Sequence, residues 1–214
     1  MPMPDTTAEA FLTSYGEWRF DMYIVFPRIR LRVSVFAIPA FLILLWLEGA
    51  YPFAVMLASA AGHELGHLLA LFRLGYRVRR VDILPMSALI VCPEGINDRD
   101  EMMIALSGPA VSLALSAASV IAFSFIGSEL LLFSAVINAA FGVFNLLPIL
   151  KLDGGKALFC FLSYKNKEAA KQICLAASHC AIILFVSFAI FCAYLSGFNF
   201  GVIALSLTLI LQIT

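Results

Sequence analysis

The chain has 214 residues, of which 62% are hydrophobic and 13% charged, with a mean hydropathy of +0.97 and a formal net charge of zero. That balance excludes an ordinary soluble domain and gives no basic surface for nucleic acid; it fits a polytopic helical membrane protein. Five cysteines (Cys92, Cys160, Cys174, Cys180, Cys192) include no C-x-x-C, so neither a disulfide framework nor a cysteine zinc site is indicated.

Residues 1–32 are mixed and form an N-terminal cytoplasmic or interfacial segment; residues 33–214 form the membrane domain. The start lacks the basic and early apolar pattern of a signal peptide. Ala8–Phe20 reads as a short interfacial helix. Tyr23–Val33 looks extended, and Arg28, Arg30 and Arg32 alternate with Ile29 and Leu31, as in a strand or a basic segment at the membrane edge. The simpler of the two, a juxtamembrane anchor, is preferred.

Six apolar spans follow, about Ser34–Leu47, Pro52–Phe72, Met102–Ile126, Leu130–Leu147, Ile173–Leu195 and Phe198–Ile213. The first and last fall short of the usual ~20 residues. All fourteen Lys and Arg lie before the first span, between the second and third, or between the fourth and fifth. By the positive-inside rule both termini are cytoplasmic, and the second span runs from outside to inside.

The second span contains Gly62-His63-Glu64-Leu65-Gly66-His67, an H-E-x-x-H motif. Residues four apart share a helix face, so His63 and His67 can hold one zinc ion while Glu64 acts as base on a water at that zinc. The motif arises by chance about once in a thousand chains of this composition. A single membrane His is often a packing residue, but charged groups at a helix centre cost roughly 2.5–3.5 kcal/mol each on insertion scales. Three polar residues in one turn of an otherwise apolar helix therefore favour a metal site. The same span carries Ala54, Ala58, Gly62, Gly66 and Ala70 at four-residue intervals, a small-residue stripe that admits a neighbouring helix backbone.

Between the second and third spans, Val81–Cys92 is apolar, β-prone and interrupted by Pro85. It is too short to cross as a helix and suits a short re-entrant β-hairpin whose backbone is satisfied by protein or by a water-filled cavity. Ser107-Gly108-Pro109 marks a kink or close approach in the third span.

A catalytic zinc commonly has three protein ligands. No third histidine follows at metzincin spacing, and His179 lies far along the chain. Asp153 is the best third ligand, in Asn145-x-x-Pro148-x-x-x-x-Asp153-Gly154-Gly155, where two glycines suit a tight backbone turn. Taken alone, Asp153 reads as an exposed turn residue; its depth, matching that of the histidines, reverses the preference.

The two motifs together resemble the site-2 proteases, the intramembrane zinc metalloproteases of peptidase family M50, and in particular their compact, sporulation-protease-like branch. The resemblance runs from about Arg28 to Leu195. It implies zinc bound by His63, His67 and Asp153, Glu64 as catalytic base, and Asn145 positioning the substrate or stabilising the oxyanion. It also implies a hairpin near substrate entry at Val81–Cys92. Two positions differ from the family pattern: Pro85 is followed by Met86, Ser87 and Ala88 rather than a glycine pair, and Ser112 stands where an amide or histidine is usual. No nucleotide-sensing CBS domain is expected.

The expectation is thus an all-α polytopic membrane protein, with about six transmembrane helices and one hairpin, that hydrolyses a peptide bond in or near a transmembrane segment of a membrane-protein substrate. It would sit in a bacterial cell membrane and answer to a membrane regulatory partner. The alternatives are a divalent-metal transporter and a catalytically silent scaffold.

Overall fold

The computed structural model describes residues 21–25, 30–34, 37–78, 80–83, 88–91, 95–164 and 166–196. The expected helix at Ala8–Phe20 and the sixth span at Phe198–Ile213 lie outside the described residues. The chain forms two compact units, residues 1–47 with 78–92, and residues 48–77 with 93–214.

The first unit contains a four-stranded sheet, β1 (Asp21–Val25), β2 (Arg30–Ser34), β3 (Arg80–Ile83) and β4 (Ala88–Val91), in that order. β1 and β2 pair antiparallel with Tyr23 opposite Arg32, and β2 pairs parallel with β3. β3 and β4 form an antiparallel pair with Val81 opposite Ile90. The alternating arginines at 30 and 32 therefore lie on a paired strand, not on a plain anchor. The sheet is also larger than the single hairpin expected, because β-branched and alternating residues at both places supply pairing edges. Helix α1 (Ala37–Glu48) follows β2.

The second unit is helical: α2 (Ala50–Arg73), α3 (Asp98–Ile126), α4 (Glu129–Asn145), α5 (Asp153–Ser163) and α6 (Lys167–Ser196). Among the described residues three helices are long and apolar enough to cross a membrane, α2, α3 and the stretch Lys167–Phe188 of α6; α4 is a shorter apolar helix of 17 residues. The protein is thus mostly helical, with three candidate spans.

α2 is arranged inside out. Its buried residues are Ser59, His63, Gly66, His67 and Leu71, while Leu57, Leu65, Leu69 and Phe72 are exposed. A helix that hides small and polar groups and shows leucines is suited to a hydrocarbon surround, where packing and hydrogen bonding hold helices together. The Gly62 and Gly66 part of the small-residue stripe meets α3, whereas Ala54 and Ala58 are exposed. A Cβ on Gly66 would stand 2.7 Å from the Ser107 carbonyl oxygen and 3.0 Å from Gly108 Cα, and one on Gly62 2.8 Å from Leu115 Cδ1.

The ends of α3 are set by its sequence. Asn97 caps the N-terminus, its Oδ1 accepting from the Asp100 N–H at 2.8 Å, and Asp98, Asp100 and Glu101 complement the helix dipole there. Gly127, with φ +69°, closes the C-terminus in the left-handed conformation.

Candidate metal centre

α2 presents His63 and His67 one turn apart, and α5 presents Asp153 as its first residue. All three are buried. Asp153 Oδ2 lies 3.0 Å from His63 Nε2 and 3.1 Å from His67 Nε2, and the two Nε2 atoms are 3.3 Å apart. These are residues 86 to 90 positions distant in sequence.

The triangle has the dimensions of a zinc face. Three tetrahedral ligands at ~2.0–2.1 Å from one ion stand about 3.3 Å from each other. Two imidazole nitrogens and a carboxylate oxygen are also the donor set that a catalytic zinc accepts. Room for an ion is kept by Gly108 of α3. A Cβ there would collide with His67 Nε2 and Cε1 and approach His63 Nε2 at 2.9 Å, so only a glycine leaves the ligand nitrogens free. The cluster therefore fits Zn2+, and it is the only group of three or more His, Cys, Asp or Glu of that kind among the described residues.

Each ligand is oriented by a further group. His67 Nδ1 donates to the Ile104 carbonyl at 2.8 Å, which leaves Nε2 for the ion. His63 Nδ1 is 3.0 Å from Ser112 Oγ, a fully buried hydroxyl of α3. The Lys156 ammonium lies 3.5 Å from Asp153 Oδ1, the oxygen turned away from the histidines. Burial opposes ionisation of Asp153, but hydrogen bonds from His63 and His67 hold its carboxyl well below the usual carboxylate range.

The segment that delivers Asp153 is a compact turn between α4 and α5. Ser178 of α6 pins it: its Oγ accepts from the Leu150 N–H at 3.0 Å and donates to the Cys174 carbonyl at 2.7 Å. The two glycines after Asp153 have a different purpose from the one the sequence suggests. Neither has positive φ. They are needed for room, since a Cβ on Gly154 would strike the Leu146 backbone, and one on Gly155 the backbone of Ile149. The first turn of α5 folds directly onto the end of α4.

Glu64 is half-buried on the same turn of α2, and its electrostatic neighbours are His67, His63, Asp153 and Lys156. Asn145, the last residue of α4, donates through Nδ2 to the Phe141 carbonyl at 3.0 Å and is not in the hydrogen-bonded triad. His179 is exposed, its Nδ1 bonded to Leu175 O at 2.7 Å, and it joins no ligand cluster among the described residues. Cys160 is buried; desolvation, with the nearby Glu101 and Asp98 charges, pushes its thiol up to about 12, which suits a packing residue and not a ligand.

Ser112, Gly108, the Ile104 carbonyl, Lys156 and Ser178 are the contributors that sequence reasoning did not assign. Ser107-Gly108-Pro109 was legible as a close approach, and Ser112 as a departure from a pattern. Nothing in the sequence pointed to Ser178.

A helical, largely apolar unit thus brings an H-E-x-x-H pair together with an aspartate from a distant helix, in a donor set that fits a metal ion. The family model for peptidase family M50 matches residues 124–188. A zinc metalloprotease of Methanocaldococcus jannaschii is 30% identical over 118 residues, 53% of this chain and 34% of that protein. Stage IV sporulation protein FB of Bacillus subtilis is 30% identical over 127 residues, 57% of this chain and 44% of that protein. The chain thus spans less than half the length of these curated relatives. The solved structure of a site-2 protease from Methanocaldococcus jannaschii shares the fold, with a TM-score of 0.63 at 24% identity over 89% of this chain and 92% of that one. These matches show similarity to peptidase family M50 over part of the chain, and the fold of a site-2 protease.

Proposed function

We propose that this protein is an intramembrane zinc endopeptidase that cuts a membrane-protein substrate in or near a transmembrane segment. The observation that carries this reading is the convergence of His63 Nε2, His67 Nε2 and Asp153 Oδ2 beside a half-buried Glu64. A bound zinc would supply Lewis-acid chemistry, acidifying a water and polarising a carbonyl. Glu64 takes the proton of the attacking water and returns it to the leaving amine. Asn145 orients the substrate backbone or stabilises the oxyanion, a role supported by its position at the end of the helix that leads to Asp153.

Helical backbone hides its carbonyls, so the substrate must be extended before it is cut. β4 lies at the edge of its sheet, and in this reading an extended peptide adds to that edge as a strand. We further read the chain as six spans in a bacterial cell membrane with both termini cytoplasmic, preceded by an N-terminal segment at 1–32 and regulated by a membrane partner. The distribution of Lys and Arg supports that orientation. Metal transport is not favoured by relatives whose names are those of zinc metalloproteases, and an intact Glu64 argues against a silent scaffold.

Glu64→Gln tests the mechanism. Gln keeps the shape but cannot accept and return a proton. The variant should insert and retain zinc yet lose at least about a thousandfold in cleavage of a single-span substrate. Wild-type turnover with wild-type zinc would refute the assignment.

A further inference from the structure

Ile104, Gly108 and Ser112 lie at four-residue intervals and so form one face of α3. That face meets both metal-binding histidines: a backbone carbonyl takes the His67 Nδ1 proton, a glycine clears the space at both Nε2 atoms, and a hydroxyl meets His63 Nδ1. A neutral imidazole carries one N–H. For Nε2 to bind an ion, that proton must sit on Nδ1 and find an acceptor. For His67 the acceptor is main chain and cannot be removed by substitution. For His63 it is the Ser112 hydroxyl, in a place with no exposure to solvent that could replace it.

We propose that Ser112 is a positioning residue of the zinc centre, fixing His63 in the tautomer and ring orientation that present Nε2 to the ion. The proposal rests on the zinc-site reading, but not on proteolysis. Its consequence is that the affinity for metal is set in part from α3, which contributes no ligand side chain.

The test compares Ser112→Ala, Ser112→Thr and Ser112→Val in the full-length protein. Zinc affinity is measured by chelator competition, and the His63 Nδ1 proton resonance is followed in the zinc-loaded protein. Thr keeps the hydroxyl, and Val matches Thr in size without it, so the pair separates hydrogen bonding from packing. Ala and Val should weaken zinc binding by about 10- to 100-fold and shift or broaden the Nδ1 proton, with Thr near wild type. Equal loss in Thr and Val, or zinc retained within about twofold in Ala with an unmoved proton, would overturn the proposal. Absence of cleavage in a wild-type protein that passes these metal tests would count against the protease reading and leave the role of Ser112 standing.

Discussion

Gly108→Ala is the smallest change that should disable this site, because it adds one methyl group against both histidine Nε2 atoms. The new Cβ would overlap His67 Nε2 and Cε1 and stand 2.9 Å from His63 Nε2, closer than real Cβ contacts allow. Ligand rings tolerate about 0.2 Å of error in bond length. Relief of the overlap at His67 needs a shift of well over half an ångström, by the ordinary ~3.4 Å approach of carbon to nitrogen. The ring cannot swing freely, since its Nδ1 is held by the Ile104 carbonyl at 2.8 Å on the same helix as the intruding methyl. A misplacement of that size costs on the order of 10²-fold in rate, about 2.7 kcal/mol, and zinc affinity should fall with it. The assay is zinc content after dialysis against a weak chelator, with turnover measured on the same preparation. Gly142→Ala is the comparison, because its Cβ presses on the same helix, meeting Leu113 Cγ at 2.8 Å and the Pro109 carbonyl oxygen at 3.3 Å, but touches neither histidine. A Gly108→Ala protein with full zinc and full turnover would refute the placement of α3 against the histidines.

Three further outcomes are expected. His67→Ala and Asp153→Ala should each lose most bound zinc while His179→Ala keeps it; metal analysis showing equal zinc in all three would put the site elsewhere. Gly66→Leu should loosen the α2–α3 contact and lower both thermal stability and zinc content, since even a Cβ there stands 2.7 Å from the Ser107 carbonyl oxygen; a stable, fully active variant would contradict that packing. Single cysteines at Lys165 and Glu129, in a variant without native cysteines, should be labelled from the cytoplasmic and outer sides respectively; outside labelling at 165 would reverse the proposed orientation.

Much of the chemistry was legible in the sequence because it is local or carried by composition. The H-E-x-x-H spacing puts His63, His67 and Glu64 on adjacent faces of one helix turn, whatever the rest of the chain does. The hydropathy selects a membrane bundle, and the Gly62 and Gly66 stripe announces a close neighbour without naming it. What the sequence by itself could not decide are relations between segments far apart in the chain. Asp153 alone looks like a turn carboxylate; it becomes a ligand candidate in geometry because α5 starts against the end of α4, on glycines chosen for space and not for φ, with Ser178 of α6 clamping the turn. Likewise, Gly108 and Ser112 carry no signature of a metal site. Their meaning comes only from α3 packing across α2, which brings a missing side chain over two imidazole nitrogens and sets a single hydroxyl where His63 must place its proton.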